Sequence, residues 1–399
     1  MTLRRMSTSA ASMWGDTSGE RPTCVVVSHS YLEPAIADVL QASDQYLRIR
    51  LLTPSRSPSS VFPDLTSESI RDKVSYEVVS PRRIPLRGAL YLLLSSRLGM
   101  HRDVAATVVE YDPWIPLFWQ VVLARRLFAP GSALFVSVKK NTFRDHPRSF
   151  AALKRALARQ GFKIVDGVLC TSTATADLYR QALGCPAGLL WVVPHLAVDT
   201  ARFTPAPRTA DAGVCTIGYI GRLSRRKGGD VLLRAAALLH ANGVRFVLRM
   251  IGPVHDDMVA LLRSSDERGY LDVRTEVPNA AIPRLLQGFD IFVMPTSREP
   301  DHEEHDGRAV LEAMACGLPC VGSDSGILAE ILADGRGRIF SAGDAVALAV
   351  ELRRLLMRPD DRQDLGRRAR AYVERTVEPD VVAVARSGIV HQGIQGRSG

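Results

Sequence analysis

The sequence lacks any long apolar run. No stretch of its 399 residues approaches the roughly 18 consecutive apolar residues that a membrane-spanning helix needs. Residues 1–21 also lack the apolar centre of a signal peptide, and their small, polar and charged residues predict a disordered leader. We therefore expect a cytoplasmic protein, whose contact with a membrane would be peripheral.

Cysteine is scarce and scattered. The six cysteines have neither the spacing of a zinc site nor that of a thioredoxin motif, so we expect reduced structural thiols. The run from His302 to His305 is not a helical zinc motif, because that motif needs histidines at i and i+4 and position 306 is Asp. The sequence predicts no metal site.

Acidic residues are outnumbered by basic ones. The chain has 51 Lys and Arg against 42 Asp and Glu, and its net charge is +9. This charge favours acidic partners such as nucleotide diphosphates, nucleic acid or anionic lipid. No nucleic-acid recognition motif accompanies it, so nucleic acid is not expected as a partner.

Basic residues concentrate between Lys139 and Lys163, where Asp145 is the single acid. Phe150, Leu153 and Leu157 recur there at helical spacing, which predicts a basic amphipathic helix. One interpretation of region 139–163 is peripheral contact with an anionic membrane. The alternative is an ordinary surface helix packed on its domain.

Strand and helix patterns alternate along both halves of the chain. The first half has candidate strands in TCVVVSHS, LRIRLLT, ATVVEYD, ALFVSVK, GVLCTS and LLWVVP. After a Pro- and Ala-rich linker near 204–213, the alternation restarts in CTIGYIG, FVLRMIG, VRTEV, IFVMPTS and CVGSD. This pattern predicts an α/β protein with two doubly wound, mostly parallel sheets. We expect domains at 22–205 and 206–378, with segment 379–399 packing back on the first.

Two glutamates follow the predicted strand IFVMPTS in the second half. Glu304 stands in the loop before a predicted helix from Gly307 to Ala315, and Glu312 lies inside that helix. If all the intervening residues were helical, the glutamates would lie about 12 Å apart, the scale of a nucleotide sugar. Ligands of such sheets bind beyond the carboxyl ends of the strands, and a helix N-terminus there suits phosphate.

A basic loop follows the first strand of the second half. The strand ends at Gly221, whose missing side chain permits close backbone approach, and Arg222 and Lys227 stand five residues apart before a helix. Two cations beside a helix N-terminus suit a diphosphate. A solvated basic loop, with Arg225 and Arg226 as bystanders, is the alternative.

Taken in order, these residues resemble the retaining glycosyltransferases of family 4, which have the GT-B fold. The matching positions are Arg222, Lys227, Glu304, Gly307, Glu312, and Ser325-Gly326 with Glu330. The segments GRGRIFSAGDAVALAVELRRLL and WVVPHLAVDTARFTP are also similar to that family. The resemblance implies two Rossmann-like domains facing a cleft, the donor on the C-terminal domain and the acceptor on the N-terminal one.

The resemblance also implies a reaction and its catalytic residues. A sugar would pass from a nucleotide diphosphate sugar to a hydroxyl acceptor with retention of configuration, in polysaccharide, glycolipid or glycoconjugate biosynthesis. Arg222 and Lys227 would neutralise the donor diphosphate, and Glu304 would contact the transferred sugar. No tightly bound cofactor and no metal would be required.

The remaining donor-side residues are implied by the same resemblance. Gly221 would allow close backbone approach, and backbone N–H groups near Gly307 and Arg308 would bind phosphate. Glu312 would hold the ribose, and Glu330 would support the donor pocket.

The acceptor side departs from the family pattern. The sequence has Ser28-His29-Ser30 in place of the Gly-rich loop after the first strand, and Glu110 and Asp112 near the position of a family histidine. His29, Glu110 and Asp112 are therefore the acceptor-side candidates, although a lone loop histidine is more often a surface or capping residue. Two other functions stay open: a nucleotide-sugar epimerase or hydrolase of the same architecture, and a non-catalytic sugar-nucleotide-binding protein.

Overall fold

A computed structural model describes residues 4–5, 21–28, 34–53, 77–79, 101–139, 148–206, 213–266, 269–300 and 302–398. The chain divides into two compact units, Met1–Ala197 with Pro379–Gly399, and Val198–Glu378. Segment 198–205, which the sequence had placed in the first domain, belongs to the second unit. Its backbone is held there, since Val198 N donates to Val377 O at 2.9 Å and Arg370 Nη1 donates to Phe203 O at 3.0 Å.

The first unit is built on an eight-stranded sheet, in which every pairing is parallel and the strand order is β1-β8-β7-β6-β5-β2-β3-β4. Its strands are β1 (Arg4–Arg5), β2 (Thr23–Val27), β3 (Arg48–Leu52), β4 (Glu77–Val79), β5 (Val104–Val109), β6 (Ala133–Val138), β7 (Gly167–Cys170) and β8 (Leu190–Val192). Its helices are α1 (Pro34–Ser43), α2 (Pro116–Phe128), α3 (Arg148–Phe162) and α4 (Thr173–Leu183), with the C-terminal helix Pro379–Ser398.

Burial explains why these segments are strands. All residues of β2, β6 and β7 are buried, as expected for parallel strands covered on both faces by helices. The short pairing of Arg4–Arg5 with Trp191 and Val192 differs from the prediction of a wholly disordered leader.

The second unit has a six-stranded parallel sheet in the order β11-β10-β9-β12-β13-β14. Its strands are β9 (Thr216–Ile220), β10 (Val247–Ile251), β11 (Leu271–Arg274), β12 (Ile291–Met294), β13 (Cys320–Ser323) and β14 (Arg338–Phe340). Its helices are α5 (Gly229–Ala241), α6 (Val259–Asp266), α7 (Ile282–Gln287), α8 (Arg308–Ala315), α9 (Leu328–Ile331), α10 (Ala345–Met357) and α11 (Pro359–Thr376). The C-terminal helix of the chain is α12.

Both sheets reverse their direction of winding at one point. In the second unit the chain builds outward from β9 to β11, then returns to start again at β12 beside β9. In the first unit the equivalent neighbours are β2 and β5. The loops that leave two such strands turn to opposite faces of the sheet, which opens a crevice at their carboxyl ends.

Among the helices of the described ranges, none combines the length and the apolar character needed to cross a bilayer.

The C-terminal helix α12 packs closely against the first sheet. A Cβ atom built on Gly393 would lie 2.3 Å from Cζ of Phe135, a ring that is itself only 1% exposed. A Cβ atom on Gly396, one turn further, would meet nothing within 4 Å.

We predict that Gly393→Ala destabilises the first unit by about 1–3 kcal/mol, because the added methyl group overpacks the core. Gly396→Ala is the matched control and should be neutral or stabilising by up to about 1 kcal/mol, since alanine favours a helix. Thermal unfolding followed by circular dichroism measures both. Equal melting temperatures for the two variants would contradict the close packing of α12.

Candidate functional site

Two loops meet at the winding reversal of the second sheet. One follows β9 (residues 221–228) and the other follows β12 (residues 295–307). Gly228 has φ +74°, and a Cβ atom there would lie 1.8 Å from Pro295 O, so only glycine allows this approach. Ser297 N also donates to Arg226 O at 3.1 Å. The two loops therefore form one packed surface.

Glu304 lies at the centre of this surface and is only 7% exposed. Its Oε2 accepts hydrogen bonds from Lys227 Nζ at 2.8 Å and from Thr296 Oγ1 at 2.8 Å. Its backbone is fixed as well, since Ile327 N donates to Glu304 O at 3.0 Å and Gly326, at φ +54°, leaves room for that carbonyl. Lys227 and Glu304, 77 positions apart in sequence, thus form one polar pair.

The protonation state of Glu304 follows from these contacts. Burial by itself raises the pKa of this carboxyl, but the Lys227 ammonium and the hydrogen bonds from Lys227, Thr296 and the Gly307 backbone outweigh it. The pKa therefore lies below its ordinary value. Glu304 is a carboxylate at neutral pH and is unsuited to act as a general acid.

Glu312 has a different environment. It lies inside α8 with 7% exposure, and Arg308 Nε donates to its Oε1 at 2.9 Å across one helical turn. Burial raises the pKa of Glu312, and the Arg308 guanidinium only partly offsets this effect. The two glutamates do not share one helix, since α8 begins at Arg308 and Glu304 stands in the preceding loop.

Gly307 is the N-cap of α8. It has φ +60°, a left-handed conformation that glycine adopts without strain, and a Cβ atom there would lie 2.5 Å from Ile331 Cδ1. The first turn of a helix leaves N–H groups without helical partners. The sequence thus places the start of α8, and its partial positive charge, just after Glu304.

The other predicted donor residues surround this core. Arg222 is exposed, and its carbonyl accepts a hydrogen bond from Tyr219 Oη at 2.8 Å. Gly221 O lies against Gly252, where a Cβ atom would come within 2.2 Å. Glu330 lies on the short helix α9, and its carbonyl accepts from Arg336 Nη2 at 2.6 Å.

Two residues of the site were missed from the sequence. Thr296 is fully buried and donates to Glu304, while buried Tyr219 holds the loop at Arg222. Burial and then the Glu304 charge raise the pKa of Tyr219, so its phenol stays protonated and donates. Thr296 could have been found from the sequence, because it is a hydroxyl residue that closely follows the buried strand β12.

The first unit has its own carboxylate at its winding reversal. Glu110 follows β5, is 7% exposed, and accepts a hydrogen bond from Ser28 Oγ, which follows β2, at 2.6 Å. Lys139 Nζ lies 3.7 Å from Glu110 Oε2. His195 is buried nearby, and burial followed by the charges of Lys139 and Arg386 lowers its pKa well below the ordinary value.

The other two acceptor-side candidates have different outcomes. Asp112 accepts a short hydrogen bond from Tyr179 Oη, and Tyr179 is a fully buried core residue, so this carboxylate supports packing. His29 lies outside the described residues.

The basic region is partly described. Residues 140–147 lie outside the described ranges, and α3 follows them. Leu153, Arg155 and Arg159 are exposed on α3, while Lys154 Nζ lies 5.9 Å from the centre of the Trp114 ring. Contact of this helix with an anionic membrane stays a prediction.

Within the described ranges, no group of three or more His, Cys, Asp and Glu side chains is arranged to hold a metal ion.

Known proteins resemble part of this chain in sequence and most of it in fold. Residues 205–372 match the family of group 1 glycosyl transferases. The Escherichia coli protein "Putative colanic acid biosynthesis glycosyltransferase WcaL" is 30% identical over 207 residues, 51% of each chain. A "D-inositol 3-phosphate glycosyltransferase" of Pseudarthrobacter chlorophenolicus is 32% identical over 225 residues, 52% of each chain. The matches thus span about half the length of these relatives.

The solved structure titled "Crystal structure of Anabaena Alr3699/HepE in complex with UDP" is similar in fold to most of this chain. It has a TM-score of 0.70 at 17% identity, covering 91% of this chain and 97% of the Anabaena chain. The two parallel-sheet α/β units are those of the GT-B fold, which confirms the predicted fold class. Residues 205–372 are therefore similar to the group 1 glycosyl transferases, and the matched segment holds Lys227, Glu304 and Glu312.

The ion pair at the centre of the site has a pH signature. Because the folded-state pKa of Glu304 lies below its usual value of 4.5, its contribution to stability is present above about pH 4.5. That contribution is lost as the pH falls through the folded-state pKa.

We predict that Lys227→Met lowers the free energy of unfolding at pH 7 by about 1–3 kcal/mol, because it leaves a buried carboxylate without its cation. The difference from the wild type should shrink as the pH falls through the folded-state pKa of Glu304, because the carboxyl group then loses its charge. Urea unfolding measured from pH 3 to 7 tests this. Adding Glu304→Gln to the variant should recover stability at pH 7, and a pH-independent difference would contradict the role of the pair.

Proposed function

We propose that the protein is a retaining glycosyltransferase, which moves a sugar from a nucleotide diphosphate sugar to a hydroxyl group of an acceptor. The observation that carries this proposal is the Lys227–Glu304 pair, held at 2.8 Å at the winding reversal of a group 1 glycosyl transferase domain. A cation for phosphate, an ionised carboxylate for sugar hydroxyls and a helix N-terminus lie together there.

The donor is a uridine diphosphate sugar in this proposal. The Anabaena neighbour has been solved with UDP and with UDP-glucose, each time at 17% identity to this chain. Its two-domain fold is shared, so a donor of the same class is the first to test.

The roles of the charged residues follow from what the reaction needs. Negative charge develops on the diphosphate as the sugar departs, and fixed positive groups stabilise that charge. Lys227 and Arg222 supply two cations at the loop after β9, and the first turn of α8 supplies N–H groups. The departing phosphate would take the proton of the acceptor hydroxyl, so the transfer needs no protein base.

Glu304 and Glu312 are donor-binding groups rather than an acid and base pair. Glu304 is ionised and accepts hydrogen bonds, which suits the hydroxyls of the transferred sugar. Glu312 is held by Arg308 within α8 and would contact the ribose. Glu330 on α9 would support the same pocket.

We propose that no metal ion is required, because Arg222 and Lys227 would supply the positive charge with which a divalent cation otherwise neutralises the diphosphate. Treatment with EDTA should therefore leave the rate of transfer unchanged.

The acceptor side of the proposal rests on Glu110. It stands at the winding reversal of the first sheet, where ligands of this class of fold bind, and its carboxylate is positioned by Ser28 and Lys139. Relatives named for colanic acid and amylovoran biosynthesis favour a glycan or glycoconjugate acceptor.

We predict that Arg222→Ala lowers the transfer rate by several orders of magnitude while the fold stays intact, because a cation facing the leaving group is lost. Arg225→Ala is the matched control, since Arg225 is an exposed arginine of the same loop whose partners are Asp230 and Asp257. Release of nucleotide from UDP-sugars, with an acceptor panel, measures both variants.

Near-normal activity of the Arg222→Ala variant would overturn the assignment of Arg222. Equal release of nucleotide without any acceptor would instead favour a hydrolase or epimerase. Tight donor binding without turnover across the panel would favour a binding protein.

We predict that Glu110→Gln raises the acceptor KM by about tenfold or more and leaves donor binding unchanged, because a charged hydrogen-bond acceptor is removed. Asp112→Asn is the contrasting variant, and it should lower the melting temperature through Tyr179 with little effect on KM. Initial rates against acceptor concentration separate the two residues. An unchanged acceptor KM in the Glu110 variant would remove that residue from the proposal.

A further inference from the structure

The second unit contains a pocket outside the candidate donor site. The pocket has a volume of about 410 Å³ and lies between the turn after α9 and residues 364–375 of α11. Its lining includes four arginines and two aspartates: Arg336, Arg367, Arg368, Arg375, Asp334 and Asp364. None of its lining residues belongs to the loops 221–228 and 295–307.

Positive charge exceeds negative charge in this pocket. Asp364 pairs with both Arg367, at 3.1 Å, and Arg368. Arg375 forms no ion pair with any residue in the described part of the chain. The guanidinium groups therefore outnumber the carboxylates by two. This excess of two positive charges would balance the two negative charges of a phosphate monoester dianion.

Arg336 is held rigidly in the pocket wall. Its Cζ lies 4.3 Å from the centre of the Tyr372 ring, and its Nη2 donates to Glu330 O at 2.6 Å. The side chain is 19% exposed, and Asp334 Oδ2 lies 3.4 Å from Nη2. The ring contact and the two contacts of Nη2 fix the guanidinium at the wall of the pocket.

The turn beside Arg336 has an unusual backbone. Asp334 has φ +54° and Gly335 has φ +74°, and Arg336 N donates to Ala333 O at 3.1 Å across them. A residue other than glycine rarely adopts a positive φ, and such positions concentrate at functional sites. A Cβ atom on Gly335 would lie 2.8 Å from Arg368 Nη1, so the glycine lets Arg368 approach the turn.

We propose that this pocket binds a phosphate group on a ligand other than the sugar donor. Arginine forks match phosphate oxygens in a bidentate geometry, and a guanidinium fixed by stacking loses little entropy on binding. The phosphate belongs to a small phosphorylated compound or to a phosphatidic acid headgroup, and the two sources share this chemistry. The proposal concerns binding alone and is independent of the sugar-transfer reaction.

The test compares two double variants of the full-length protein. Arg368→Gln/Arg375→Gln removes two exposed arginines of the pocket, so the fold should persist. Arg245→Gln/Arg263→Gln removes the same charge from exposed positions of the same unit outside the pocket. Isothermal titration with inorganic phosphate measures the free-ligand source. Sedimentation with phosphatidylcholine vesicles, with and without phosphatidic acid, measures the lipid source.

We expect the pocket variant to weaken binding of phosphate, or of the phosphatidic acid vesicles, by about tenfold or more, and the control variant by less than about twofold. Absence of binding to both probes overturns the proposal. Equal losses in the two double variants also overturn it.

Discussion

A buried, ionised carboxylate requires hydrogen-bond donors from the surrounding protein, and Glu304 of the second unit is such a group. Its exposure is 7%, so an ionised state depends on Lys227 and Thr296. Lys227 comes from the loop after β9, and Glu304 and Thr296 come from the loop after β12. The pair therefore requires that β9 and β12 be neighbours and that their loops pack closely, which Gly228 permits.

The topology of each sheet brings two such strands side by side. In each unit a carboxylate lies at the winding reversal, Glu304 beside β9 and β12 and Glu110 beside β2 and β5. Right-handed crossovers send the connecting helices to opposite faces there, so the strand ends stay accessible. The common geometry explains how each sheet places a charged residue at the carboxyl ends of its strands.

The second unit was largely predictable from its sequence. Apolar residues recur along the sequence with the period of the strand or helix that they form, so the sequence pattern reveals these elements. The elements predicted in this way were β9, β10, β12, β13 and the helix beginning at Arg308. The boundary between the two units was harder to predict from the sequence. The stretch 198–205 has no periodicity, and its membership of the second unit depends on hydrogen bonds to residues near 370 and 377.

Local pattern alone determined the two parallel sheets, the order of the loops and the residue types of the candidate donor loops. Those properties depend on neighbours within a few positions, where propensity and periodicity act. Tertiary structure decided which charges meet: Lys227 with Glu304, Ser28 with Glu110, and the arginines of α11 around Arg336. Contacts between residues far apart in sequence depend on strand order and on the close approach of backbone segments at glycines. Neither can be predicted from the residues within a few positions along the chain.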